Sequence, residues 1–182
     1  MKSDIDGKKI LLGIAGGIAA YKCCELARLL VKEGAEVKCV PTRAALEFVT
    51  PLTLQTLSKN PVYTEMFSFV KEREVCHISL ADWADAVLIA PATADIMAKI
   101  SCGICDELLT AVVCATRAKL VFAPSMNTRM WENAVTRENV ERLSGMGYAF
   151  IGPSEGELAC GYEGRGRMLE PGQILEELKN IL

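Results

Sequence analysis

Short, wholly apolar runs alternate along this chain with longer stretches of helical periodicity. Lys9–Ile14 (KILLGI) is a strand-length apolar run that breaks at Ala15-Gly16-Gly17. From Ile18 to about Glu33 the spacing becomes helical: Leu26, Leu29 and Leu30 share one face, with Lys22, Arg28 and Lys32 elsewhere. Gly34 supplies the stop expected of a helix C-terminus. Glu36–Val40 reads as the next strand, and Thr42 is placed to cap a following helix. Pro51 and Pro61 punctuate a stretch that reads as irregular as far as about Cys76. Ala86–Ala90 is a buried-type strand followed by a helix over Thr93–Ile100. Leu120–Ala123 is another strand, Asn133–Met146 a helix stopped by Gly147, and Tyr148–Ile151 a last short strand. The segment from Gly152 to Met168 is glycine-rich and reads as a loop, and Pro171–Leu182 closes the chain as a helix.

Strands that are apolar on both faces, alternating with helices, predict βαβ units: an α/β, doubly wound parallel sheet with helices on both faces. The 182 residues are about one domain's worth of chain, so residues 1–182 are expected to form a single domain. In such sheets ligands bind beyond the carboxyl ends of the strands, where the strand order reverses.

Composition narrows the function classes. Twenty basic against twenty-three acidic residues leaves a net charge of −3, which is no footprint for nucleic acid. No apolar run approaches the roughly 20 residues of a membrane helix, and Met1–Lys9 is too polar for a signal peptide. A cytoplasmic protein with no membrane partner is therefore expected. Eight cysteines include one CxxC pair, Cys102 and Cys105, but no second pair completes a zinc set, and His77 is the single histidine. No metal site is expected, and most of the thiols read as reduced small hydrophobes.

The residues after each strand are small or hydroxyl-bearing. Gly13-Ile14-Ala15-Gly16-Gly17-Ile18 is not GxGxxG. It reads either as a tight turn or as a helix N-terminus left open for a phosphate. Pro41-Thr42-Arg43 lacks the acidic residue that a dinucleotide ribose needs, which argues against NAD and leaves room for a ligand with one phosphate. Pro91-Ala92-Thr93-Ala94-Asp95 and Pro124-Ser125-Met126-Asn127 follow the next two strands.

Five motifs occur in order: Gly16 to Lys22, His77 to Asp85, Ala90 to Asp95, Pro124 to Asn127 with Met130-Trp131, and Ala159-Cys160-Gly161 with Gly164 to Met168. Together they make the chain, from about Lys9 to Leu182, similar to the flavin-dependent cysteine decarboxylases, in particular those acting on 4′-phosphopantothenoylcysteine in coenzyme A synthesis. The resemblance implies a flavodoxin-like sheet, FMN as cofactor and 4′-phosphopantetheine as product. It also implies a route in which the thiol-bearing carbon is oxidised to a thioaldehyde, CO₂ leaves to give an enethiolate, and reduction follows. Family members form homo-oligomers, trimers or dodecamers, with flavin at a subunit boundary. In many bacteria a phosphopantothenate-cysteine ligase half follows on the same chain, so a fused or separate ligase is an expected partner.

The same resemblance distributes roles. Gly16, Gly17 and Ile18, then Thr42, Arg43 and Ala44, then Thr93, Ala94, Asp95 and Ile96 match the flavin-contacting segments, and Ser125 would lie against the flavin. Thr93 and Asp95 equally suit helix caps. His77, whose residue type has a reference pKa near neutrality, would be the base or hydrogen-bonding partner, beside the alternative of a structural histidine. Asn127, otherwise a turn or cap residue, would hold the substrate carboxylate. Cys160 would protonate the enethiolate; the lantibiotic peptide decarboxylases lack it and release the enethiol unreduced. Residues of about 152–168 would form a substrate lid, with Glu157, Ala159 and Met168 on its substrate face. Arg165 and Arg167 suit either the substrate phosphate or solvated loop positions. Tyr21, Lys22 and Trp83 read as packing or subunit contacts. The competing readings are a decarboxylase of a peptide's C-terminal cysteine and a non-catalytic flavin-binding regulatory subunit.

Overall fold

The computed structural model describes residues 4–67, 76–157, 161 and 163–182. Five parallel strands form one sheet: β1 (Lys9–Ile14), β2 (Glu36–Pro41), β3 (Ala86–Ala92), β4 (Lys119–Pro124) and β5 (Ala149–Phe150), in the order β2-β1-β3-β4-β5. This is the flavodoxin-like order, with its reversal between β1 and β3.

The interior strands, β3 along its whole length and β1 and β4 after an exposed first lysine, are apolar because both of their faces are covered. Ile10, Leu12, Leu88 and Val121 pack on one face against α1 (Ala20–Lys32), α2 (Pro51–Ser58) and the last helix, α8 (Pro171–Ile181). Leu11, Val87, Ile89 and Phe122 pack on the other against α3 (Cys76–Trp83), α4 (Ala94–Ser101), α5 (Leu108–Ala115) and α7 (Ala134–Gly145). Full burial of one such side chain contributes about 1.5–3 kcal/mol, so the two clusters carry most of the favourable folding term.

Two expectations are corrected and one helix is added. The stretch from Pro51 to Cys76 contains a helix, α2, because Pro51 stands in its first turn, where its missing N–H costs nothing. Between α4 and β4 lies the unforeseen α5, LLTAVVCA, which is buried over most of its surface and so has no polar stripe to reveal a helical period. The glycine-rich segment is no plain loop: β6 (Ser154–Glu157) and β7 (Glu163–Arg167) form an antiparallel hairpin. A single turn, α6 (Thr128–Trp131), joins β4 to α7. Among the described residues no helix is long and apolar enough to cross a membrane.

Candidate active site

The strand ends are knitted together just beyond the sheet. Thr42 N–H donates to Ile14 O at 2.9 Å, Ala15 N–H to Pro91 O at 3.3 Å and Ser125 N–H to Ala92 O at 3.0 Å. Above them opens a cleft of about 1280 Å³, ample for a cofactor with its substrate. Its walls are the β1–α1 turn, the residues after β2 and β3, the Ser125–Asn127 segment after β4, and the end of the hairpin at Gly166–Met168.

The two glycines of the first turn do different work. A Cβ on Gly16 would overlap Cβ and the carbonyl group of Ala44, so the turn packs backbone to backbone on the segment after β2. A Cβ on Gly17 would meet only Thr93 Cγ2, at 3.6 Å, so Gly17 keeps space open on the cleft side. The helix that starts here, α1, has Ala19 as its N-cap and no side-chain cap. Its first turn closes on backbone instead, Ala20 N–H donating to Gly17 O at 2.9 Å and Lys22 N–H to Ala19 O at 3.0 Å, so no capping side chain competes with an incoming anion.

Three other helix starts at the cleft are capped by expected site residues. Thr42 Oγ1 accepts from Ala45 N–H at 3.2 Å, and Thr93 Oγ1 from Ile96 N–H at 3.3 Å. Asn127 Oδ1 accepts from Arg129 N–H at 2.9 Å, which orients its carboxamide at the cleft wall. Arg43, Ala44, Asp95, Ser125 and Ile18 also line the cleft. Two expected flavin contacts do not: Ala94 lies outside the lining, and Ile96 is buried in the core, so only its backbone serves the turn. Met168 is buried and lines the cleft. Glu157 ends β6. Ala159 and Cys160 lie outside the described residues.

His77 opens α3, half-buried, and its Nδ1 is buried without a hydrogen-bond partner. It is not among the residues that line the cleft of its own chain. Of the two loop arginines, Arg167 lines the cleft, whereas Arg165 stands over the Trp131 ring at 6.0 Å. Trp83 packs beneath the Lys38 ammonium, 4.2 Å from its ring centroid, as a packing residue does.

Sequence reasoning missed several members of the cleft. Lys22 lines it and pairs with Glu170 at 2.8 Å. Lys99 lines it too, ringed by Asp106 at 3.1 Å, Asp95 at 3.5 Å and Glu107 at 3.6 Å. Burial opposes the Lys99 charge, but the Asp106 hydrogen bond and the other carboxylates outweigh it and hold the ammonium above its ordinary range. Burial pushes the Glu107 carboxyl up, and Lys99 offsets this only in part. The helical spacing of Asp95 and Lys99 was a usable signal; the loop pairs were not.

The flavoprotein family pattern matches residues 1–182. The chain is 51% identical over 175 residues to the coenzyme A biosynthesis bifunctional protein CoaBC of Vibrio cholerae, covering 96% of this chain and 44% of that protein. It is 44% identical over 172 residues to the CoaBC protein of Bacillus subtilis, covering 94% and 42%. The chain thus spans less than half the length of these relatives. Among solved structures, a PPC decarboxylase mutant complexed with pantothenoylaminoethenethiol superposes with a TM-score of 0.88 at 34% identity, covering 96% of this chain and 98% of that one. The FMN binding protein AtHal3 superposes at 0.84 and 34%, covering 100% and 97%.

Proposed function

The chain belongs to the flavoprotein family, and from that premise we propose that it binds FMN and decarboxylates 4′-phosphopantothenoylcysteine to 4′-phosphopantetheine. One observation carries the reading. The Ser125-Met126-Asn127 segment and the open Gly16–Ile18 turn face a single cleft at the switch point of the sheet. The similarity to a PPC decarboxylase over almost the whole chain supports it.

The residues present suit a monophosphate flavin. A helix start without a side-chain cap suits an anion at its positive end, Gly17 leaves room for close approach, and no acidic residue stands directly after β2 to receive a dinucleotide ribose. Gly16, Gly17 and Ile18, with Thr42, Arg43 and Ala44, Thr93 and Asp95, the backbone at Ala94 and Ile96, and Ser125, would hold the cofactor. FMN held there would supply the two-electron redox chemistry, at the carbon that bears the thiol, that a cysteine carboxyl needs before it can part with CO₂.

The chain's own side chains do the rest. Asn127, fixed by its capping bond, presents its carboxamide to the substrate carboxylate and sets the C–C bond for cleavage. His77 takes the thiol-side proton. Because it stands away from its own cleft, it reaches the site of a neighbouring copy in a homo-oligomer, trimer or dodecamer. Exposed Ile18, Tyr21 and Met130 at the cleft mouth are apolar enough for such a contact. Cys160 returns a proton to the enethiolate carbon, with Glu157, Ala159 and Met168 as substrate contacts. The reaction belongs to the cytoplasm, beside a fused or separate ligase that makes the cysteinyl substrate.

The test is direct. Purified protein reconstituted with FMN is given 4′-phosphopantothenoylcysteine, and CO₂ and product mass are followed. We expect stoichiometric CO₂ and 4′-phosphopantetheine. Flavin binding without CO₂ would favour the regulatory-subunit reading instead.

A further inference from the structure

Three charged side chains from three elements converge on one rim of the cleft. Lys22 leaves the first turn of α1, Arg167 ends β7, and Glu170 is the N-cap of α8. A single carboxylate oxygen, Glu170 Oε1, accepts from Lys22 Nζ at 2.8 Å and from Arg167 Nη2 at 2.7 Å. Exposed pairs usually contribute little. This one differs, because the Lys22 side chain is only 11% exposed and two cations share one acceptor.

The carboxylate itself is held in place. Glu170 N–H donates to Gln173 Oε1 at 3.1 Å as part of the α8 cap, so the start of the helix sets where the carboxyl stands. Arg167 has room for the posture because of the opposite strand: a Cβ at Gly156 would come within 3.3 Å of its Nη1. Lys22 and Arg167 line the cleft, whereas Glu170 does not. The anion thus backs two cations, and the group keeps a formal charge of +1 toward the cavity.

The proposed substrate is anionic at both ends, with the carboxylate that leaves at one and a phosphate monoester at the other. Resting on that reading, we infer that Lys22 and Arg167 receive the distal phosphate of the substrate, and that Glu170 is the positioning residue holding the two cations in register for it. The chemistry suits the ligand. Guanidinium offers a second edge beside the nitrogen committed to Glu170, and the ammonium keeps two further donors. A phosphate monoester brings a charge of about −1.5 to −2 and three strong acceptors. The flavin would bring a phosphate as well, so the test separates the two sources.

The experiment compares wild type with Glu170→Gln, Glu170→Asp and Arg167→Gln. Each holoenzyme is assayed for KM and kcat on 4′-phosphopantothenoylcysteine and on its dephosphorylated counterpart, and each apoprotein is titrated with FMN and with riboflavin. Glu170→Gln and Arg167→Gln should raise KM for the phosphorylated substrate about tenfold, with kcat moving far less. KM for the dephosphorylated substrate should shift by less than about twofold. Glu170→Asp should recover part of the loss, and the preference for FMN over riboflavin should match wild type. Equal KM changes on both substrates would reduce the bridge to a structural strut. A lost preference for FMN would reassign it to the flavin phosphate. Wild type inactive on both substrates would overturn the proposed reaction and this inference with it. An active wild type with unaffected variants would overturn this inference alone.

Discussion

Burial disqualifies two of the other cysteines from the role proposed for Cys160. Burial pushes the Cys39 thiol up to about 12 and raises Cys23 well above its ordinary value, so neither is a source of protons near neutrality. A proton donor to a carbanion-like centre must be a stronger acid than that, and an ordinary thiol, near 8.5, serves. A serine hydroxyl does not. With Cys160→Ser, oxidation and CO₂ release should persist while reduction fails, giving a product two hydrogens lighter than 4′-phosphopantetheine by mass spectrometry. Full-mass product at the wild-type rate would remove Cys160 from the mechanism. No CO₂ at all would mean that the cysteine acts earlier, in binding.

The β1–α1 turn works as a unit with the segment after β2. Gly16→Val would drive a side chain into the Ala44 backbone, which cannot move aside as a side-chain tip would. The purified variant should therefore lose its flavin absorbance and about 1–3 kcal/mol of stability by denaturant titration. Gly17→Ala should stay folded, since its Cβ finds an ordinary contact at Thr93. If Gly16→Val purifies yellow with unchanged stability, the close packing is not needed. The strand ends that frame this turn were legible in the sequence because a strand buried on both faces must be apolar throughout, and its end is marked by the first small or polar residue. The helix α5 was not legible, because a segment buried nearly all round shows no period. Nor was the hairpin, whose glycines are set by neighbours far along the chain. At Gly166 a side chain would strike the Met126 carbonyl, and at Gly164 it would strike Thr128. The Lys22–Glu170 pair spans 148 positions, and no local pattern announces such a partner.

His77 and Asn127 offer a test of the assembly as a whole. Each copy carries both residues, but the cleft of one chain holds only Asn127. His77→Asn alone and Asn127→Asp alone should both be inactive; the aspartate keeps the helix cap but repels the substrate carboxylate. If copies share sites, co-expressing the two variants should restore roughly a quarter of wild-type activity, since random mixing pairs an intact His77 with an intact Asn127 at that frequency. No recovery in verified mixed oligomers would return His77 to its own chain. Stability should also depend on pH through the buried thiols. Cys39 holds its proton up to about 12 in the folded state, against about 8.5 when unfolded. Its contribution is complete below about pH 8.5 and is lost as pH rises toward 12, at about 1.4 kcal/mol per unit. Under reducing conditions Tm should fall above pH 8.5, and Cys39→Ala should flatten that fall. An identical slope in the variant would assign the alkaline loss to other groups.

The missing cap at the start of α1 makes the ligand a part of the folding equilibrium. Most helix starts in this protein close on a side chain of their own, whereas this one closes on backbone carbonyls and keeps its positive end for an anionic guest. The guest's concentration then becomes a folding variable: at a hundred times its dissociation constant a ligand adds about 2.7 kcal/mol to unfolding. FMN titrated into flavin-free protein should raise the melting temperature continuously, while riboflavin, which has no phosphate to meet that helix end, should raise it much less. Equal shifts from the two would show that the ring alone completes the fold. In a cell short of flavin a larger share of such chains would stand unfolded and open to proteolysis, so the supply of cofactor would bear on how much of the protein persists.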